Sequence, residues 1–155
     1  MNKGKIFENI FKENWKKCFP KTFCLRLNDS LGGFKNINTP CDFLCFPGDK
    51  LFMIECKSHN GASIPFDAIP QYERLLEYKD MKNVHPGIII WFREKDKVIW
   101  VDIKVAEKIF TDGNKSIQLK MLEKNLYDIK ELPSVKKRVY LDTDYNYLIN
   151  LYKGE

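Results

Sequence analysis

The stretch from Thr39 to Ser58, TPCDFLCFPGDKLFMIECKS, constrains the fold of this chain more than any other part of it. Two apolar, aromatic-rich runs flank the turn signal Pro-Gly-Asp at 47–49. This arrangement predicts a β-hairpin with strands near 41–46 and 50–57. Three charged residues lie within these strands, where the sheet of a soluble protein is normally apolar, and they need an explanation.

The three residues are Asp42, Glu55 and Lys57. Because side chains alternate between the faces of a strand, Glu55 and Lys57 share a face, and in-register pairing brings Asp42 to the same end of the sheet. Two carboxylates can bind a divalent cation such as Mg²⁺ or Mn²⁺, and the backbone carbonyl of Cys56 offers a further oxygen. A lysine at this point can orient an attacking water or stabilise charge that develops on phosphorus.

Each of these charges also has a structural interpretation. Asp42 can cap a turn, and Glu55 with Lys57 can form an exposed ion pair at a strand end. An isolated Glu-x-Lys occurs by chance in many proteins. The longer pattern is more restrictive, since a Pro-proximal Asp, a turn and an apolar strand precede this Glu-x-Lys.

The length of 155 residues suits a single domain over 1–155, with a core at about 5–110 and a C-terminal extension at 111–155. The 26 basic and 21 acidic residues give a net charge of +5, which permits nucleic acid as a partner without requiring it. The five cysteines form no C-x-x-C pair, so we expect reduced core thiols rather than a zinc site. No apolar run reaches membrane-spanning length, and we expect a soluble, cytoplasmic protein.

Hydrophobic periodicity predicts the order helix, strand, hairpin, helix, hairpin, helix, which fits an α/β sandwich with a mixed sheet of four or five strands. A loop is expected at 28–39, and residues 115–140 show no clear pattern. The other expected elements are a helix over 5–17, a strand over 23–27, a helix from about 66 to 83, a hairpin of 87–92 and 97–103, a helix over 104–110, and a final helix over 144–152 capped by Asp142 or Thr143.

With Pro-Cys-Asp at 40–42 and Glu-Cys-Lys at 55–57, the hairpin resembles the signature of the PD-(D/E)xK nuclease superfamily. The chain is more specifically similar to the RecU type of Holliday-junction resolvase over about residues 2–110, through the segments NKGKIFENIF, SIPFDAIPQYERL and GIIIWF. This resemblance implies a restriction-endonuclease-like mixed β-sheet flanked by α-helices, and metal-dependent cleavage of DNA.

The RecU type carries a long stalk between its first strand and the strand that bears the Asp. Here the segment from Leu27 to Asp42 is too short for that stalk. Either the glycine-containing loop at 28–39 takes its place in junction recognition, or the chain cleaves another DNA structure.

The resemblance also implies roles for individual residues. Asp42 and Glu55, with the Cys56 carbonyl, would hold the metal ion, and Lys57 would assist the nucleophile. Glu8 matches the acidic residue on the first helix, which joins the metal site directly or through water. Its structural alternative is a solvated carboxylate near a helix N-terminus.

Further residues are expected around this site. Gln71 matches the helix glutamine that follows the Glu-x-Lys strand in RecU-like proteins, with a solvated helix residue as an even alternative. Phosphate binding needs cations near the scissile backbone. The candidate DNA contacts are Lys3, Lys5, Arg26, Lys35 and Ser58. A solvated basic surface explains the cations equally well, and loop hydrogen bonding explains the serine.

The function expected from these residues is a Mg²⁺- or Mn²⁺-dependent DNA endonuclease of recombination that acts on four-way junctions or other branched DNA, with a phage as one candidate source. We expect a homodimer, because two coordinated nicks need two active sites. One alternative is an endonuclease of restriction, repair or packaging that cuts duplex DNA. Another is a non-catalytic DNA-binding module, which would bind branched DNA with strong salt dependence but never cut it.

Overall fold

The computed structural model describes residues 2–27 and 39–154, and it contains helices on both sides of a central sheet. The strands are β1 (Phe23–Arg26), β2 (Phe43–Phe46), β3 (Leu51–His59), β4 (Ser63–Pro65), β5 (Val84–Phe92), β6 (Lys97–Asp102), β7 (Ser116–Gln118), β8 (Lys130–Glu131), β9 (Ser134–Lys136) and β10 (Leu141–Thr143). The helices are α1 (Lys3–Cys18), α2 (Tyr72–Leu76), α3 (Ile103–Thr111), α4 (Leu119–Glu123) and α5 (Asn146–Asn150).

The main sheet of the described chain has six strands in the order β1-β2-β3-β5-β6-β8. The β3–β5 pair is parallel and the other neighbours are antiparallel, so the sheet is mixed. Two small antiparallel pairs, β4–β7 and β9–β10, lie outside it. The predicted mixed sheet flanked by helices is confirmed. The sheet has six strands where four or five were expected, because the two-residue β8 pairs with β6.

The hairpin predicted around Pro-Gly-Asp is formed by β2 and β3, with Phe43 opposite Ile54 and Cys45 opposite Phe52. After the hairpin, a crossover through α2 leads to β5, which pairs with β3 along nine residues. The predicted second hairpin is present as β5 and β6. The hairpin and the crossover place β3 in the interior of the sheet, with β2 and β5 on its two sides.

Apolar side chains fill both faces of the sheet. On one face, Phe11 and Trp15 of α1 pack with Ile54 and Tyr145 in a cluster that also includes α5. The opposite face packs against α2 and α3 in a second cluster. Within β5 the side chains from 88 to 90 are all fully buried, so this strand is covered on both faces.

The prediction of a continuous helix from Phe66 to Asn83 is wrong. The chain forms a 3₁₀ turn over Phe66–Ala68, and α2 begins only at Tyr72. Ile69 between them has φ −122° and ψ 73°, outside the helical region. The residue before a proline is pushed away from helical geometry, and Ile69 precedes Pro70. The apolar spacing therefore reports burial, with Ile69 and Tyr72 both buried, rather than a single helix.

The predicted cap of the final helix is also wrong, because Asp142 and Thr143 belong to β10. Instead, Asp144 accepts a hydrogen bond from the Asn146 backbone N–H at 2.9 Å, just before α5. The helix expected over 104–110 is confirmed as α3, with Asp102 as its N-cap. No helix in the described residues is long and apolar enough to cross a bilayer.

Candidate active site

A cleft of about 720 Å³ opens where β3 passes the N-terminal end of α1. Every predicted site residue in the described part of the chain lines this cleft, namely Lys3, Lys5, Glu8, Arg26, Asp42, Glu55, Cys56, Lys57, Ser58 and Gln71. Lys35, the remaining predicted DNA contact, lies in the 28–38 segment outside the described residues. Residues of α1, β1 and β3, together with the residues just before β2 and α2, therefore meet at one place.

The Asp42 carboxylate is held by the backbone of the neighbouring strand. The backbone N–H of Asp42 donates to the Ile54 carbonyl at 3.0 Å, which extends the β2–β3 pairing by one residue beyond Phe43. Its Oδ2 accepts a hydrogen bond from the Cys56 N–H at 2.8 Å. The carboxylate is thus fixed beside the strand that carries Glu55, as the in-register hairpin predicted.

Glu55 and Lys57 follow the strand alternation and share one face of β3. The Lys57 Nζ lies 3.1 Å from Glu55 Oε2, and the Glu55 side chain is only 1% exposed. Glu55 Oε1 is buried and has no hydrogen-bond partner among the described residues. The alternative of an exposed ion pair at a strand end does not fit, since this glutamate is buried in the middle of the sheet.

Burial raises the pKa of both carboxyl groups, and a neighbouring carboxylate adds to each shift, Glu8 for Asp42 and Asp42 for Glu55. Loss of water is the largest cause for each, and it raises the pKa of Asp42 to about 6 and that of Glu55 to about 9. The negative charge of Asp42 adds to the shift of Glu55, and Lys57 opposes it. In the absence of a cation, Glu55 therefore holds a proton at neutral pH.

This donor set fits a hard divalent cation. Mg²⁺ commonly takes one or two carboxylates from a protein and fills its other positions with water and phosphate. In the described chain no group of three or more His, Cys, Asp or Glu side chains is arranged to hold a metal. The Asp42 and Glu55 carboxylates and the Cys56 carbonyl would hold the ion, and the unpartnered Glu55 Oε1 offers it a ready oxygen.

Glu8 lies in the same cleft but is engaged by a cation. Its Oε1 is 3.2 Å from Arg26 Nη2, and its side chain is 14% exposed. Its negative charge contributes to the raised pKa of Asp42, so the two carboxylates interact. The structure therefore combines Glu8 and Arg26 in one ion pair beside Asp42, a pairing that no local sequence pattern predicts. Lys3 and Lys5 are exposed nearby, on the first turn of α1.

Gln71 precedes α2 and faces the cleft. Its Oε1 is buried and has no hydrogen-bond partner within the described residues, which does not fit the alternative of a solvated helix residue. Ser58 is already engaged, since its Oγ accepts a hydrogen bond from Arg93 Nη1 at 2.6 Å. Arg93 is not among the DNA contacts expected from the sequence, because it lies between the two strands of the second predicted hairpin. The parallel pairing of β3 with β5 brings it to Ser58.

No protein family model matches this sequence, and no curated protein sequence matches it. Among solved structures, the chain is similar to Hjc of Archaeoglobus fulgidus, a Holliday junction resolvase from an archaeal hyperthermophile. The TM-score is 0.53 at 16% sequence identity, and the match covers 79% of this chain and 92% of that chain. The chain therefore shares the fold of that protein. This confirms the predicted fold class and does not select the RecU type in particular.

Proposed function

We propose that this protein is a divalent-metal-dependent DNA endonuclease that cuts branched DNA. The observation that carries the proposal is the pair formed by the buried Glu55 and the partly buried Asp42, adjacent to Lys57 and open to a cleft. Burying two carboxylates side by side is costly unless a cation compensates them. The raised pKa values of both groups report that cost.

The residues of the cleft have distinct tasks in this proposal. Asp42, Glu55 and the Cys56 carbonyl would hold Mg²⁺ or Mn²⁺, which when bound supplies Lewis-acid activation of water and of the scissile phosphate. The Lys57 side chain, 3.1 Å from Glu55, is near enough to orient the water or to stabilise charge that develops on the phosphate oxygens. The unpartnered Gln71 Oε1 can accept a hydrogen bond from the same water.

Basic side chains surround these groups and suit a phosphodiester backbone. Lys3 and Lys5 stand at the rim of the cleft, and Arg26 lies inside it. Arg93 extends the basic surface past Ser58. Cations at these positions would hold the DNA by its phosphates and would make binding weaken as salt is raised.

Branched DNA is the proposed substrate because the fold is shared with Hjc, which is a Holliday junction resolvase. Resolution of a four-way junction requires two nicks placed symmetrically. A homodimer would supply two copies of the Asp42–Glu55 site in that arrangement. We therefore propose a homodimeric enzyme.

Cleavage of a defined substrate panel tests this proposal. Purified protein is incubated with a labelled four-way junction, a linear duplex and a single strand, each with Mg²⁺ or with EDTA. The expected result is cleavage of the junction with Mg²⁺ only, and its loss in Asp42→Asn and Lys57→Ala. Asp49→Asn is the matched control, because this aspartate is in the turn of the same hairpin with its side chain 91% exposed. It should cut like wild type.

The other outcomes distinguish the alternatives. Equal cleavage of duplex and junction would indicate an enzyme of restriction, repair or packaging. Salt-dependent junction binding without cleavage under Mg²⁺ or Mn²⁺ would indicate a non-catalytic module. Unchanged cleavage by Asp42→Asn and Lys57→Ala would refute the site.

A further inference from the structure

Two cysteines on the edge of the sheet lie opposite each other, away from the cleft. Cys24 of β1 pairs in register with Cys45 of β2, and their Sγ atoms are 3.4 Å apart. Both pack in the cluster beneath α1, on the face opposite Glu55 and Lys57. Neither residue has a part in the proposed cleavage reaction.

The backbone pairing at this position suits a covalent bridge. The Leu27 N–H donates to the Asp42 carbonyl at 2.8 Å, which marks this opposed pair as hydrogen-bonded. Hydrogen-bonded and non-hydrogen-bonded pairs alternate along antiparallel strands. The Cys24–Cys45 pair is the third pair along the strands from Leu27–Asp42, so it is a non-hydrogen-bonded pair. In such pairs the Cα atoms are about 4.5 Å apart. That spacing lies within the range that disulfides adopt.

We propose that Cys24 and Cys45 form a reversible dithiol–disulfide pair that ties the edge strand β1 to β2. The oxidant is a small-molecule disulfide such as glutathione disulfide. The Cys24 thiolate attacks one of its sulfurs, and one glutathione thiolate leaves. The Cys45 sulfur then gives up its proton and attacks the Cys24 sulfur, which releases the second glutathione. Two protein thiols and one glutathione disulfide thus become one protein disulfide and two glutathione thiols.

The two thiols are unequal in a way that fixes their roles. Cys24 is half-buried and therefore reachable, whereas Cys45 is fully buried. The hydrogen bond with Cys45 lowers the pKa of the Cys24 thiol despite burial, and the nearby positive charges of Lys12 and Lys16 lower it further. Burial raises the pKa of the Cys45 thiol. Cys24 is consequently the attacking thiol and Cys45 the resolving thiol.

The bond would act on the least supported strand of the sheet. β1 has four residues, pairs only with β2 within the described chain, and has Phe23 and Leu25 exposed. A covalent bridge between residues 21 positions apart restricts the unfolded chain and fastens this edge. Oxidation is therefore expected to raise the unfolding temperature, and a dithiol reductant should reverse the change.

Native oxidation followed by mass spectrometry tests the proposal. The full-length protein is equilibrated with glutathione disulfide, its free thiols are blocked and counted after denaturation, and its peptides are mapped. Wild type should lose two of its five thiols and yield a Cys24–Cys45 linked peptide. Cys45→Ser should accumulate glutathione on Cys24, because the resolving thiol is absent. Cys24→Ser should carry none on Cys45.

Cys18→Ser is the matched control, since Cys18 is also half-buried and its Sγ lies against the Thr143 carbonyl rather than against another cysteine. It should still form the link and should show the same rise in unfolding temperature. Circular dichroism of the reduced variants establishes that each is folded. The proposal is overturned if folded wild type keeps all five thiols, if glutathione remains on Cys24 without the link, or if another cysteine pair forms instead.

Discussion

Two clefts of nearly equal volume, about 720 and 710 Å³, open toward opposite ends of the central strands. The first is the candidate active site. The second cleft is lined by Trp100, Asp102 and Tyr152, among others, near the start of β5. Both contain lysines, carboxylates and a buried floor. Volume and composition therefore do not tell them apart.

Three polar side chains of the second cleft, those of Trp100, Tyr152 and Asp102, bind one another. Trp100 Nε1 donates to the Tyr152 hydroxyl at 2.8 Å, and that hydroxyl donates to Asp102 Oδ2 at 2.6 Å. The other oxygen of Asp102 accepts from the Lys104 N–H at 2.9 Å and caps α3. Three lysines of this cleft are also paired with carboxylates, as in the 2.8 Å contact between Lys130 and Asp128. These interactions serve the fold.

The candidate active site leaves three of its buried polar atoms without a hydrogen-bond partner. Glu55 Oε1, Gln71 Oε1 and Arg26 Nε are buried and have no hydrogen-bond partner in the described part of the chain. Such groups destabilise a fold unless a ligand completes them. Buried polar atoms without partners therefore distinguish the candidate active site from the second cleft. Substitutions in the candidate active site should reduce cleavage without loss of stability, and substitutions in the second cleft should reduce stability without loss of cleavage.

The largest expected effect is on cleavage by Glu55→Gln. We expect its rate of junction cleavage to fall at least about 100-fold, beyond the 10- to 100-fold typical of groups that only support a metal ligand. Its unfolding temperature without metal should stay at or above that of wild type, because the fold disfavours the Glu55 charge. Cleavage assays and differential scanning calorimetry on the same preparation measure both. A variant that cuts normally, or that unfolds well below wild type, would contradict the comparison.

The reverse is expected of Asp102→Ala in the second cleft. This change removes the α3 cap and the acceptor for Tyr152. The free energy of unfolding should fall by about 2 kcal/mol, from a lost cap and a lost hydrogen bond. Urea denaturation measures the loss, and junction cleavage at a temperature where the variant is folded should match wild type. Loss of cleavage by the folded variant would show that the second cleft also takes part in the reaction.

A smaller effect is expected where a glycine lets Trp100 form the floor of the second cleft. A Cβ added to Gly87 would lie 2.2 Å from the Trp100 ring. Gly87→Ala should therefore destabilise the protein by roughly 1–3 kcal/mol through overpacking. Gly48→Ala is the control, because a Cβ there has no atom within 4 Å, and it should change stability little. Equal urea midpoints for the two variants would contradict the packing.

The last expected effect is a dependence of metal-free stability on pH. The pKa values of Asp42 and Glu55 are raised on folding from about 4 to about 6 and about 9. Their stabilising contribution is complete below pH 4 and is lost as pH rises through these values. The unfolding temperature of wild type should thus decline relative to that of Asp42→Asn/Glu55→Gln between pH 5 and 9, and Mg²⁺ should reduce this decline. A pH-independent difference would contradict the shifts.

The sequence predicted the elements whose patterns are local and strong. The hairpin of β2 and β3 follows from Pro-Gly-Asp between apolar runs, and its register brings Asp42 to Glu55. The short pairs β4–β7 and β6–β8 were not predicted, because strands of two or three residues carry no periodic signal and their partners are distant in the chain.

The candidate metal ligands could be chosen from the sequence, but their burial and their ion-pair partners could not. Burial of Glu55 depends on β2 and β5 lying on both sides of β3, and no local pattern states that. The Glu8–Arg26 ion pair and the Arg93–Ser58 bond likewise join elements that meet only in the folded sheet.

Titration calorimetry of Mn²⁺ into the metal-free protein at neutral pH tests the central claim most directly. Wild type should bind the ion and release protons, because the raised pKa of Glu55 keeps this side chain protonated until a cation binds. The proton release is measured as a dependence of the binding heat on the ionisation enthalpy of the buffer. Glu55→Gln should lose this binding and proton release, and Asp102→Ala should retain both. Binding of equal strength by Glu55→Gln, or no binding by wild type, would contradict the account.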